Sequence, residues 1–224
     1  MWDKRIPLRE EPIADMDAVR QYDRGARHIM MPQYKYFVWK ITRKGIRGGK
    51  ILDVGTGSGL LAIELAKVKG NQFDITGIDI SENMVRKAIE NAQQAKTGDK
   101  TKFAVADAAA LPFRDKTFDL VVSYASLHHW RDPAAVFEET ARVVKDTGRI
   151  IIRDNKRVYR NPCWRAFIWL ISIFINRRHR ENWPKAIMAC YTMPEIKEIM
   201  QKVRSKNYRV TSDFIRFDMS IEWP

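Results

Sequence analysis

The chain has 224 residues, 45% of them hydrophobic and 30% charged, with a formal net charge of +13. That composition excludes collagen-like, disordered and coiled-coil classes, and the length suits one domain, or a core domain with a small lid, that needs no disulfide or structural metal. The charge is uneven: residues 1–50 carry net +6, residues 51–150 net −1 and residues 151–224 net +8, so the flanks hold all the excess.

In chain order, residues 12–46 lack the alternation of strands, and two helices are predicted at about 13–21 and 33–44. KILDV (50–54) is a short β-rich run ending in a glycine cluster, and Leu60 to Val68 is apolar at helical spacing. FDITGIDI (73–80) reads as a second strand. Ser81 then caps a helix to Lys96. KFAVAD (102–107) and FDLVVS (118–123) are the third and fourth strands, the latter apolar enough to be buried on both faces. Asp132-Pro133 opens a helix to about Val144, and Gly148 leads into a fifth strand, RIIIRD (149–154). Beyond it, helices are predicted from Pro162 to about Asn176 and from Pro194 to about Arg204. Tyr208–Glu222 suggests one or two strands in an antiparallel edge hairpin. Strand–helix alternation of this kind means a doubly wound, mostly parallel α/β sheet covered by helices on both faces. We expect an N-terminal helical cap (1–47) and a sheet domain (48–224) with a helical lid insertion (156–205), all one compact unit.

The chemistry concentrates in ILDVGTGSGLLAIELA (51–66), with glycines at 55, 57 and 59. The third glycine of the dinucleotide fingerprint is missing, because position 60 is Leu60. Three alternate glycines still allow a sharp turn and close approach of a ligand to the backbone, and the helix that follows offers free N–H groups. Asp53 precedes the loop and Asp79 ends the second strand. In a doubly wound sheet the carboxyl ends of neighbouring strands share one crevice. There Asp79 can accept hydrogen bonds from a ribose diol, and Asp53 can face an ammonium. An acid on each side suits a cationic ligand better than a pyrophosphate.

ILDVGTGSG, GIDIS, VADAAALPFRDKTFDLVVSYASLHHWRDP and EETARVVKDTGRIII together resemble the class I S-adenosylmethionine-dependent methyltransferases. The likeness is to the branch holding ubiquinone/menaquinone-biosynthesis and small-molecule enzymes, and it covers about residues 48–155. It implies a seven-stranded Rossmann-like sheet and S-adenosyl-L-methionine as cofactor, with S-adenosyl-L-homocysteine as product. Gly55, Thr56, Gly57 and Gly59 would pass under the methionine part. Asp79 would hold the ribose, Ile80 and Met84 would lie near the adenine, Asp107 would take its amino group with Ala108 beside it, and Ser123 would line the floor. For Asp107 a helix N-cap is the alternative, and for Ser123 a small residue at a strand end. The branch methylates carbon, nitrogen, oxygen and sulfur acceptors, so the acceptor stays open.

Methyl transfer needs alignment and exclusion of water, and a general base only where the nucleophile is still protonated. His128 and His129, just after the fourth strand, are the candidate acid/base residues, with a loop-fixing role as the alternative. No third ligand suggests a metal there. Tyr22 could close over the cofactor or acceptor. SYAS stands where one nucleic-acid methyltransferase signature would be, and no Pro-Cys nucleophile is present, so nucleic acid is disfavoured as substrate. Cys163–Ile175 is apolar on almost every helical face and is followed by Arg177, Arg178, His179 and Arg180. It could be a lid, a homodimer contact or a membrane-surface helix. Its apolar run is too short to span a bilayer, the first residues show no secretory pattern, and Cys163 and Cys190 read as reduced thiols, so a soluble cytoplasmic protein is expected. Three functions remain in view: a small-molecule methyltransferase with an anionic or amphipathic acceptor, an RNA or protein methyltransferase using the basic flanks, and a cofactor-binding protein without catalysis.

Overall fold

The computed structural model describes residues 5–8, 15–70, 72–157, 170, 185–203, 208–212 and, for the backbone, 218–223. The elements run α1 (Met16–Ile29), α2 (Met31–Arg43), β1 (Gly48–Val54), α3 (Leu60–Ala66), β2 (Gln72–Asp79), α4 (Glu82–Gln94), β3 (Thr101–Val105), β4 (Phe118–Tyr124), α5 (Pro133–Val143), β5 (Val144–Asn155), α6 (Met193–Lys202), β6 (Arg209–Ser212) and β7 (Asp218–Trp223). The strands form one sheet in the order β3-β2-β1-β4-β5-β7-β6. The first five are parallel, and β7 enters antiparallel between β5 and β6.

Successive residues of a strand point to opposite faces, and both faces are dry. Ile51, Leu120, Val122 and Ile151 pack under α2 and α3 with Phe37, Ile41, Leu61 and Leu65. Leu52, Val121, Ile150 and Ile152 pack on the other side with Phe137, Ile196 and Met200. The helices of the N-terminal segment therefore share the core rather than lying over it. At β1 the chain order turns from β2 on one side to β4 on the other, and a crevice opens above the carboxyl ends of these strands.

Two boundaries differ from expectation. Helix α1 begins at Met16, where Asp15 accepts hydrogen bonds from the Asp17 and Ala18 amides, and it runs through Gly25 to Ile29 rather than stopping near 21. Strand β5 starts at Val144, directly after α5, because Val144 already pairs with Phe118 before the register shifts to Leu120 opposite Arg149. Ser81 does cap α4, accepting from the Met84 amide. The apolar helix expected over 163–175 and most of the lid insertion lie outside the described residues. So does the alternation expected over 214–217.

A polar tie fixes α1 over the crevice. Buried Asp23 accepts from Arg27 Nε and from Asn91 Nδ2 on α4, both at 2.8 Å, and the same Asn91 amide donates to the Ser58 carbonyl at 2.8 Å. Removing Asn91 takes away one of the two donors to Asp23 and the donor to the Ser58 carbonyl. Asn91→Ala should therefore lower the unfolding free energy by about 1–3 kcal/mol, read as a lower urea midpoint at unchanged m-value.

Candidate functional site

The glycine loop turns directly after β1, and each of its glycines answers a different constraint. A Cβ on Gly55 would collide with the Ser126 side chain, which also accepts a hydrogen bond from Trp130 Nε1 at 3.0 Å. A Cβ on Gly59 would stand 2.8 Å from Ala88 Cβ and 3.0 Å from Phe103, so this glycine lets α3 approach α4 and β3. Gly57 alone faces open space, its nearest neighbour being the Tyr22 ring at 3.8 Å, and its φ of +55° lies in the left-handed region. Only Gly57 is placed to meet a ligand.

The two carboxylates flank this loop. Asp53 is buried at the end of β1 and accepts the Thr56 hydroxyl at 2.7 Å. Burial, partly offset by the Thr56 hydrogen bond and reinforced by the nearby charge of Asp79, pushes its pKa up to about 7. Asp79 Oδ2 accepts the Gly57 amide and Oδ1 the Ser81 amide, both at 2.9 Å. Burial raises its pKa too, against the pull of those two amides. Each Asp79 oxygen keeps a further lone pair, which is what a vicinal diol requires.

Tyr22 lies across the loop from α1. It keeps 37% of its surface open, but its hydroxyl end rests against Gly57, and burial together with the charges of Asp79 and Asp23 holds its pKa at about 12. At neutral pH it is a hydrogen-bond donor, not a base. On the opposite side, Ile80 and Val105 are exposed at the ends of β2 and β3, with Asp79 paired to Val105 in the register. Ile80, next to Asp79, leaves an exposed aliphatic surface suited to a flat ring. Met84 is buried in the first turn of α4. Asp107 Oδ1 accepts the Ala109 amide at 2.8 Å in a local turn rather than as the helix N-cap that was the alternative, since no helix follows it, and the residue stays exposed with Ala108 half-buried beside it. Ser123 is buried and donates to the Val54 carbonyl at 2.8 Å, tying β4 to β1.

The histidines separate. His128 is buried and its Nδ1 lies 2.8 Å and 3.0 Å from the two oxygens of Asp154, which also accepts the His128 and Asn155 amides. His129 stacks against it at 4.2 Å and remains exposed at its outer edge. Crowding by protein, and the neighbouring His128, push the His129 pKa down to about 4. A third metal-capable side chain does stand nearby, contrary to the expectation: the ligand atoms of His128, Asp154 and Cys190 lie within 4.8 Å of one another. Neither Asp154 nor Cys190 is near the histidines in sequence. Burial pushes the Cys190 thiol well up, and it donates to the Ala186 carbonyl at 3.2 Å, so the hydrogen-bonded unit is the His128–Asp154 pair, with Cys190 alongside. Arg5, too, had no sequence signal. Its Nε donates to the Ala189 carbonyl at 2.7 Å, another nitrogen donates to the His128 carbonyl at 3.1 Å, and its guanidinium sits 4.0 Å from the Tyr191 ring centre. Arg153, at the end of β5, is buried with its guanidinium 5.4 Å from the Tyr36 ring centre, beside Tyr124, whose hydroxyl donates to Gln33 at 2.7 Å.

A family model described as a methyltransferase domain matches residues 47–210. The chain belongs to the methyltransferase-domain family. Demethylmenaquinone methyltransferase of Staphylococcus aureus is 28% identical over 204 residues, covering 86% of this chain and 83% of that enzyme. The 27-O-demethylrifamycin SV methyltransferase of Amycolatopsis mediterranei is 40% identical over 107 residues, which is 48% of this chain and only 39% of that protein. A Methanococcus maripaludis structure, solved as a candidate S-adenosyl-L-methionine-dependent methyltransferase, superposes with a TM-score of 0.72 at 23% identity, covering 96% of this chain and 95% of the other.

This methyltransferase takes S-adenosyl-L-methionine as its cofactor, and the site fits it. The open space at Gly57 would take its chain, Asp53 and Asp79 its positive charge and its diol, and the exposed Ile80 its adenine.

Two outcomes follow. Asp53 must ionise to face a cation, so cofactor affinity should climb as pH rises from 5.5 to 7.5, by up to about tenfold per unit at the acid end, and Asp53→Asn should flatten that slope in calorimetry. Without ligand the sign reverses. A raised folded-state pKa gives stability that is present below the unfolded value near 3.8 and lost as pH rises through about 7. Gly57→Val and Gly59→Val should also divide: both pay a left-handed-backbone cost of about 1–2 kcal/mol, but the first chiefly loses cofactor binding, whereas the second also overpacks α3 on α4 and costs about 1–3 kcal/mol more stability.

Proposed function

We propose that this methyltransferase acts on a small organic acceptor that carries an anionic or amphipathic group and an ionisable O–H or acidic C–H, and that His128 removes its proton. The observation that carries the reading is the buried His128–Asp154 pair. A carboxylate at Nδ1 places the ring's proton there and leaves Nε2 as the basic nitrogen. Asp154 also holds the His128 amide, so ring and backbone are fixed by one side chain. His129 is the weaker candidate, since an imidazole depressed to about 4 takes a proton poorly at neutral pH.

The bound cofactor supplies an electrophilic methyl group on a sulfonium. Tyr22 covers the glycine loop and excludes water from that side. Arg5 pins the loop carrying His128 to the 188–191 segment, and Arg153 brings a buried positive charge to the β5 end of the crevice. That charge favours an acceptor with a carboxylate, phosphate or phenolate. The relatives named for demethylmenaquinone and 27-O-demethylrifamycin SV support a small-molecule acceptor over RNA or protein.

Transfer of labelled methyl groups should appear in fractionated cell metabolites that bind an anion exchanger or partition as amphiphiles. Label in the RNA or protein fraction would contradict the reading. With the acceptor in hand, His128→Ala should lose about 10²–10⁴-fold in kcat, and the loss should shrink as pH rises and the acceptor ionises unaided. His129→Ala should change kcat little. Equal, pH-independent losses in both variants would mean positioning rather than proton transfer.

A further inference from the structure

The outer face of α2 carries a pattern that neither the cofactor nor the proton transfer uses. Lys35, Tyr36, Trp39, Lys40 and Arg43 stand at i, i+1, i+4, i+5 and i+8, a stripe that alternates with the buried Tyr34, Phe37, Val38 and Ile41. Trp39 is 48% exposed, large for an indole. Eight basic residues and no acid lie between Asp23 and Asp53. Among the described residues, Lys35, Lys40 and Arg43 enter no ion pair. The face is thus amphipathic at its tip and uniformly positive around it.

We infer that this face of α2 docks the enzyme on an anionic lipid surface. Indole and phenol rings flanked by lysine and arginine are the composition that settles at the headgroup level of a bilayer, and clustered basic side chains add attraction to anionic lipids. A nucleic-acid platform would share the charge but needs free ring faces for bases. Here Trp39 is stacked on Tyr36 with ring centres 5.5 Å apart and 25° between planes, the Arg43 guanidinium lies 4.9 Å from the Trp39 centre, and Lys40 Nζ lies 5.8 Å from that of Tyr36. The ring faces are already engaged, while Trp39 still keeps about half of its surface open.

The placement gives the contact a purpose. Gln33 and Tyr36, in the first half of α2, touch Tyr124 and Arg153 at the carboxyl ends of β4 and β5. Lys44, just past the helix, accepts from Arg149 towards the opposite end of β5. The helix therefore runs down from the crevice mouth, and a bilayer held on its outer face lies beside the acceptor entrance. This deepens the amphipathic-acceptor reading but stands on α2 alone.

Sedimentation of the full chain with vesicles of 60% phosphatidylcholine and 40% phosphatidylglycerol, against pure phosphatidylcholine, tests the inference. Binding should be confined to the anionic vesicles, weaken with salt, and fall at least about tenfold in the Trp39→Ser/Lys40→Glu/Arg43→Glu variant, whose melting temperature and cofactor affinity should match the parent. Three results would overturn the inference: no sedimentation at low salt, equal sedimentation of parent and variant, or a single-stranded oligonucleotide bound more tightly than vesicles and lost on the same substitutions. The vesicle assay uses no acceptor, so its failure is distinct from failure of the proposed reaction.

Discussion

Two carboxylates at the top of a parallel sheet, Asp53 buried and Asp79 half-buried, are the costly element around which this protein is organised. Asp53 and Asp79 end adjacent strands and share a crevice, and an isolated buried acid would simply stay protonated. The fold holds Asp53 on the edge of ionisation and raises Asp79 as well. Thr56 lowers Asp53, and the amides of Gly57 and Ser81 lower Asp79, against the burial that raises both. The glycine loop, the cap of α4 and the cover by Tyr22 can be read as devices that keep this arrangement dry and open at one point only.

The cover depends on contacts that are polar and long-range. Asp23 and Asn91 fasten α1 to α4 and to the loop backbone, placing Tyr22 over Gly57. Arg5 does the same on the other side of the crevice, joining residues 123 positions apart to hold the turn that carries His128. Each of these ties hydrogen-bonds a charged group, buried Asp23 or half-buried Arg5, across distant parts of the chain, which fixes geometry more than it adds stability. A site built this way has a rigid cofactor half, carried by strand ends, and an acceptor half set by side chains reaching in from the flanks.

That division is also the division between what the sequence discloses and what it hides. The strands, the glycine loop and Asp79 were legible because local periodicity and loop spacing are local facts: FDLVVS is buried on both faces, and β4 is the centre of the sheet. Gly55 and Gly59 were legible as glycines but not in their reasons, since Ser126 and Ala88, which exclude a Cβ, come from distant turns and helices. Asp154 and Cys190 could not be joined to His128 by spacing, because only the β4–β5 pairing and the fold of residues 185–191 bring them together. Helix α1 was underestimated because Gly25 reads as a break, whereas the Asp23 tie and the burial of Ala26 hold the helix through it.

The account rests on Asp53 giving up a proton when a cation arrives. Calorimetry of S-adenosyl-L-methionine binding at pH 6, in two buffers of different ionisation enthalpy, counts that proton directly. With Asp53 titrating at about 7, the parent should release close to one proton per site and Asp53→Asn close to none. Binding without proton release, or the same release from the Asn variant, would contradict it.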